Sequence, residues 1–92
     1  MIKLSYTEAA QRDLLNYYGD LIDSVGSVIA DEGIDRIFER CDDIARFPEM
    51  GGRRPNLDAF GLSVHGVNES GQTILYARRA GILHIVRVLP AR

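Results

Sequence analysis

The chain has no tryptophan, one cysteine, one lysine and two histidines among ninety-two residues. The lone thiol, Cys41, excludes an internal disulfide and suits a reducing compartment. Two histidines and one cysteine show no metal-ligand spacing, so no metal or other cofactor is expected. Gly51-Gly52-Arg53-Arg54 lacks the lysine and the spacing of a phosphate-binding loop. No apolar run approaches the roughly 20 residues that cross a bilayer. The opening Met1-Ile2-Lys3-Leu4-Ser5-Tyr6 turns polar too soon for a signal peptide. These absences lead to the expectation of a small, soluble, cytoplasmic protein.

Its length suits one domain with one core, taken here as residues 1–92. The net charge of −2 hides an asymmetry: Glu8 to Glu49 holds eleven acids against four arginines, whereas Met50 to Arg92 holds six arginines against Asp58 and Glu69. An acidic half followed by a basic half points either to two surfaces of opposite sign or simply to solvated helix faces.

Ile2 to Leu4 reads as a short first strand, and Ser5 with Glu8 has the spacing of a capping box. Ala10, Leu14, Tyr17, Tyr18, Leu21, Ile22 and Val25 then recur at helical spacing. After a turn at Gly26-Ser27, a second stripe runs through Ala30, Ile34, Ile37, Phe38, Cys41, Ile44 and Ala45, and Pro48 ends it. Gly33 inside this helix suggests close approach of the first helix, and the short turn makes the pair an antiparallel hairpin. Met50 to Ala59 reads as a loop. Three strands follow, Gly61 to Val67, Gln72 to Arg79 and Ile82 to Leu89, joined by tight turns at Asn68-Glu69-Ser70-Gly71 and Ala80-Gly81. The expected class is α+β in the order β-α-α-β-β-β, an antiparallel sheet with the helical hairpin on one face.

The last strand is the most informative segment. It is apolar on both sides, which implies cover on the sheet's second face by curvature, by the loop or by another protein. Arg87 lies in its middle and must find a partner, either an acid on a helix or a group on another molecule. Strict alternation puts Ile82, His84, Val86 and Val88 on one side of this strand. His84 is then read either as a satisfied structural histidine or as a functional one. Tyr76 beside Ile74 reads as core with its hydroxyl at the edge. His65 is expected to face solvent, and Cys41 to be packing.

Several of these segments together resemble the ParE branch of the ParE/RelE superfamily of toxins from type II toxin–antitoxin modules. They are Leu4-Ser5 with Ala10 and Asp13-Leu14, Gly26 with Ala30, Ile44-Ala45-Arg46-Phe47-Pro48-Glu49-Met50-Gly51 with Gly61-Leu62, Thr73-Ile74-Leu75-Tyr76, and Ile85-Val86-Arg87-Val88-Leu89. The chain departs from the family in lacking the tryptophan common in the first helix. It also has Tyr76-Ala77-Arg78, with the arginine one step later than usual, and Pro90 after the final strand. The resemblance implies a toxin that inhibits DNA gyrase and is neutralised by a ParD-like antitoxin in a hetero-oligomer. It implies no catalytic residues, no sequence-specific binding of nucleic acid and no membrane partner. The partner-binding residues implied are Arg78, Arg79, Arg87 and Arg92, with Tyr76 and His84.

Two alternatives come from other classes. A ribosome-dependent messenger RNA endonuclease of RelE type needs a base and a cation for the phosphate, which here would be His84 or His65 with Arg87 or Arg78. A degenerate, non-toxic antitoxin-binding protein would keep the surface and lose the poison.

Overall fold

The computed structural model describes residues 2–58 and 61–91. A first strand, β1 (Lys3–Tyr6), leads into α1 (Glu8–Val25) and α2 (Ser27–Arg46). A two-residue strand, β2 (Gly52–Arg53), and a 3-10 turn (Pro55–Leu57) occupy the expected loop. The chain then forms β3 (His65–Glu69), β4 (Gln72–Arg79) and β5 (Ile82–Pro90). The five strands form one sheet in the order β1-β5-β4-β3-β2. The expected antiparallel sheet is therefore mixed, because β1 pairs with β5 in parallel, Leu4 opposite Leu83 and Tyr6 opposite Ile85. Only an intervening crossover such as the helical hairpin can bring two parallel strands side by side.

Local signals and tertiary pairing compete at the start of α1. Ser5 does not cap the helix, because it sits in β1 opposite His84. Thr7 takes that role: its backbone is extended, and its hydroxyl accepts the Ala10 N–H at 3.0 Å. The two helices meet at a single residue, Gly26, whose φ of +87° favours glycine. Close helix packing at Gly33 follows the sequence reading, since a methyl there would lie 2.9 Å from Leu21 Cδ1 and 3.2 Å from the Tyr17 hydroxyl.

Residues 61–64 do not join β3, because the preceding loop claims the backbone of Val64. The Val64 N–H donates to Asp58 Oδ1 at 2.9 Å, and its carbonyl accepts the Arg54 N–H at 2.7 Å. Asp58 is also paired with Arg53. These bonds, the Val64 amide foremost, hold its carboxyl below the usual range.

The core lies between the hairpin and one face of the sheet. Ala10, Leu14, Ile37, Cys41 and Ile44 meet Ile74, Tyr76, Leu83, Ile85 and Val88, with Leu4, Tyr6 and Val67 at the margin. Strict alternation in β5 is broken by an irregularity: Leu75 pairs with Arg87, but the next residue, Tyr76, pairs with Ile85. Val86 is the extra residue of a β-bulge, which turns Val88 inward beside Leu83 and Ile85, away from the face that His84 occupies. Cys41 is fully buried, and burial pushes its thiol up to about 11. Native protein is accordingly expected to resist a thiol-specific reagent at neutral pH and to react fully once unfolded. Rapid labelling of the native chain would contradict this packing.

Candidate functional site

Two surfaces remain once the core is assigned. The first is the face of the sheet away from the helices. It carries Lys3 and Ser5 from β1, Ile82 and His84 from β5, Thr73, Leu75, Ala77 and Arg79 from β4, and Gly66 from β3, as the pairing register and two-residue alternation dictate. Leu75 and Ala77 are buried there, outside the main core, and the Arg54 guanidinium lies over Gly66, where an added methyl would come within 3.0 Å of it. None of the strand residues on this face among those described is acidic, whereas eleven of the chain's thirteen acids fall between Glu8 and Glu49. The charge asymmetry read along the chain thus becomes an asymmetry between two layers of the fold.

The second surface is a groove of about 660 Å³ between the two helices and β1. Leu4, Leu14, Leu15, Ile34 and Phe38 give it an apolar lining, and Gln11, Tyr18 and Asp31 supply polar groups. Leu15 is 70% exposed and Phe38 41% exposed. The Tyr18 hydroxyl donates to Asp31 across the groove, from one helix to the other. Phe38 stands edge-on to Tyr6, with ring centroids 5.8 Å apart. The sequence reading assigned Ile34 and Phe38 to a packing stripe, but the hairpin leaves their outer sides open to this groove. Helical periodicity alone does not distinguish a residue over the core from one at its margin.

The six residues expected from the sequence do not form one cluster. Arg78 and Arg79 are exposed at the end of β4, and Arg78 lies 3.7 Å from Glu49. His84 is half-buried on the open face. Arg92 lies outside the described residues. Tyr76 is fully buried: its hydroxyl donates to the Pro48 carbonyl at 2.8 Å and accepts the Gly51 N–H at 2.9 Å, tying the end of α2 and the following loop to the sheet. His65, expected to face solvent, is half-buried: it stacks on the Tyr76 ring, with centroids 5.6 Å apart and planes inclined by 22°.

Arg87 has the helix partner that the sequence left open. Its Nε and Nη2 donate to the two oxygens of Asp13 at 2.7 and 2.9 Å. Asp13 also accepts the Val88 N–H at 3.0 Å, and Thr7 donates to the Val86 carbonyl at 2.7 Å. Beyond Tyr6 there is no β1 to pair with β5, and Thr7 at the N-cap and Asp13 in α1 satisfy the strand's edge at the bulge. The Arg87 hydrogen bonds are the largest influence holding the Asp13 carboxyl below its usual range. The guanidinium remains 43% exposed.

Among the described residues no group of three histidine, cysteine or acidic side chains is placed to hold a metal, and no helix is long and apolar enough to cross a membrane. Fold and surfaces together define a small α+β domain built to present two faces of opposite character, an apolar groove on an acidic helix layer and a basic open sheet. The chain belongs to the family described as the ParE toxin of the type II toxin-antitoxin system parDE, which it matches over residues 4–92. A solved structure described as the chromosomal ParDE TA system from P. aeruginosa shares the fold. It is 18% identical, with a TM-score of 0.80, over 100% of this chain and 98% of that one. No curated protein matches the chain in sequence.

Proposed function

We propose that this ParE-family chain acts in the cytoplasm as a poison of DNA gyrase, by binding rather than by chemistry, and that a ParD-like antitoxin neutralises it by filling the groove between the helices and β1. The groove is the observation that carries the antitoxin half of this reading. Large apolar side chains such as Leu15 stand open to water beside a shaped cavity, an arrangement that a partner chain covers favourably. Support for binding over catalysis comes from the residues nearest to an acid–base pair. Tyr76 has its hydroxyl committed to backbone groups at both ends, and His65 is stacked against it. Arg87, the cation an RNase reading would place on phosphate, already grips Asp13.

Leu15→Asp is expected to weaken the antitoxin complex by at least about tenfold, since a charge would enter the apolar groove. The fold should be little affected, because Leu15 is 70% exposed. Calorimetric titration checks the affinity and thermal melting the fold; unchanged affinity would move the antitoxin off this groove. Induction in cells separates the functional readings. Growth arrest with intact messages, relieved by the antitoxin, supports the gyrase poison. Ribosome-dependent message cleavage, lost on changing His84, supports the RelE-type nuclease. Tight antitoxin binding without arrest marks a lapsed toxin.

A further inference from the structure

The open face of the sheet holds cations that nothing in the fold neutralises. Arg53, Arg78 and Arg87 are each matched by an acid, Asp58, Glu49 and Asp13 in turn. Lys3, Arg54 and Arg79, which lie on the open face, have no carboxylate partner among the described residues. Packing holds Arg54 instead: its Nε, Nη2 and Cζ lie 3.0, 3.0 and 3.1 Å from where a methyl at Gly66 would stand. The missing side chain lets the guanidinium rest against the strand while its charge stays unmatched. Register sets the spacing of these groups. Lys3 stands opposite Ile82 and Ile82 opposite Arg79, so these two cations are two strands apart, roughly 10 Å. Gly66, under Arg54, stands opposite Leu75, four residues before Arg79, which is roughly 13 Å along the strand. In the row between, Ser5, His84 and Ala77 stand side by side, and none of them is acidic.

We infer that the open sheet face binds the sugar–phosphate backbone of duplex DNA without reading its sequence. Unmatched cations on a face without acidic strand residues select a polyanion, and the acidic helix layer on the other side of the sheet orients the approach. The distance from Arg54 to Arg79, roughly 13 Å along the strand, spans about four phosphates of one DNA strand at about 3.4 Å each. The strand residues of this face include no phenylalanine or tyrosine, so unstacked bases find no platform and a single strand is the poorer ligand. The face is a sheet, with no helix projecting from it to reach base edges in the major groove, so its contacts position the protein and do not specify a site. The choice of DNA over RNA rests on the gyrase reading above, since a poison of that enzyme works beside a DNA duplex. The face then adds a weak second contact, to the nucleic acid, to the one made with the enzyme.

Fluorescence anisotropy of a short labelled DNA duplex tests this, with the full chain and with neither gyrase nor antitoxin present. Binding is expected at about 50 mM salt and should weaken about fortyfold by about 200 mM, the slope for counterions released by three cations. Arg79→Gln and Lys3→Gln should each weaken binding several-fold and lower that slope by about one. Arg36→Gln removes the same charge from an exposed position on α2, in the helix layer, and should leave the affinity within about twofold of the parent. Thermal melting checks that each variant is folded. Absence of binding at about 50 mM salt, or an equal loss from Arg36→Gln and Arg79→Gln, overturns the proposal. Displacement of the duplex by polyglutamate at equal charge would make this a site for acidic protein, and tighter binding of an RNA duplex would move it to RNA. Either result overturns the assignment to DNA. Because gyrase is absent, failure of this contact leaves the poison reading standing, and failure of the poison reading leaves a measured contact standing.

Discussion

Replacing Asp13 by alanine is expected to destabilise the chain by about 2–3 kcal/mol. The carboxylate accepts three hydrogen bonds, two from Arg87 and one from the Val88 amide. Arg87 is 43% exposed and can turn to water, so the ion pair itself contributes no more than about 1 kcal/mol. The larger loss comes from Val88, a core residue whose N–H would face a truncated side chain at the bulge. Arg87→Ala should therefore cost only about 1 kcal/mol, because Asp13 continues to hold the amide. In thermal melting the Asp13 variant should fall by about 10–20 °C and the Arg87 variant by less than half of that. A larger loss in Arg87→Ala would make the guanidinium, not the carboxylate, the centre of this junction.

The same pair predicts a pH dependence. Asp13 has a folded-state pKa below its unfolded value of about 3.9, so its contribution is fully present above that value. It is lost as pH falls through the lower, folded value. Asp13→Asn should accordingly flatten the acid limb of the stability profile and leave the slope near neutrality unchanged.

The second large effect centres on Tyr76. Tyr76→Phe keeps the ring in the core but frees the Gly51 amide and the Pro48 carbonyl, at an expected cost of about 2 kcal/mol. Gly51→Ala attacks the same contact from the other side. The new methyl would run into the tyrosine hydroxyl and come within 2.8 Å of Cε1 of a ring with no exposed surface. The half-buried His65 is stacked on that ring. A loss of about 2–3 kcal/mol is expected from Gly51→Ala. The two changes should not add: with the hydroxyl gone, alanine meets less obstruction, and a double-mutant cycle should show coupling of at least about 1 kcal/mol. Strict additivity would mean that the loop carrying Arg53 and Arg54 is not anchored through this hydroxyl.

How much of this was legible in the sequence depended on whether the signal was periodic or tertiary. The helical hairpin, the close approach at Gly33 and the two tight hairpin turns follow from spacing and backbone preference, whereas the turn expected at Gly26-Ser27 shortens to Gly26 alone because Ser27 already begins α2. The positive φ values at Ser70, Gly71, Ala80 and Gly81 match those turns. The burial of Tyr76 and Cys41 was equally readable. Partnership with a distant element was not. Ser5 looked like a cap because local spacing does not reveal that β5 will claim its backbone. Strict alternation sets Val88 beside His84, but one extra residue, Val86, resets it, and nothing local marks a bulge that Thr7 and Asp13 stabilise. The stacking of His65 on Tyr76 is likewise set by the strand register, which no local pattern shows. The open basic sheet face was foreshadowed by charge counts, whereas the groove needed the angle between two helices and a strand, which no linear pattern encodes.

The central claim is that this ParE-family chain poisons gyrase by binding, and purified gyrase with supercoiled plasmid tests it most directly. Addition of the chain is predicted to accumulate cleaved DNA, and pre-incubation with its antitoxin to abolish that cleavage. Normal supercoiling with no cleaved product, at concentrations of the chain well above those of the enzyme, would contradict the claim.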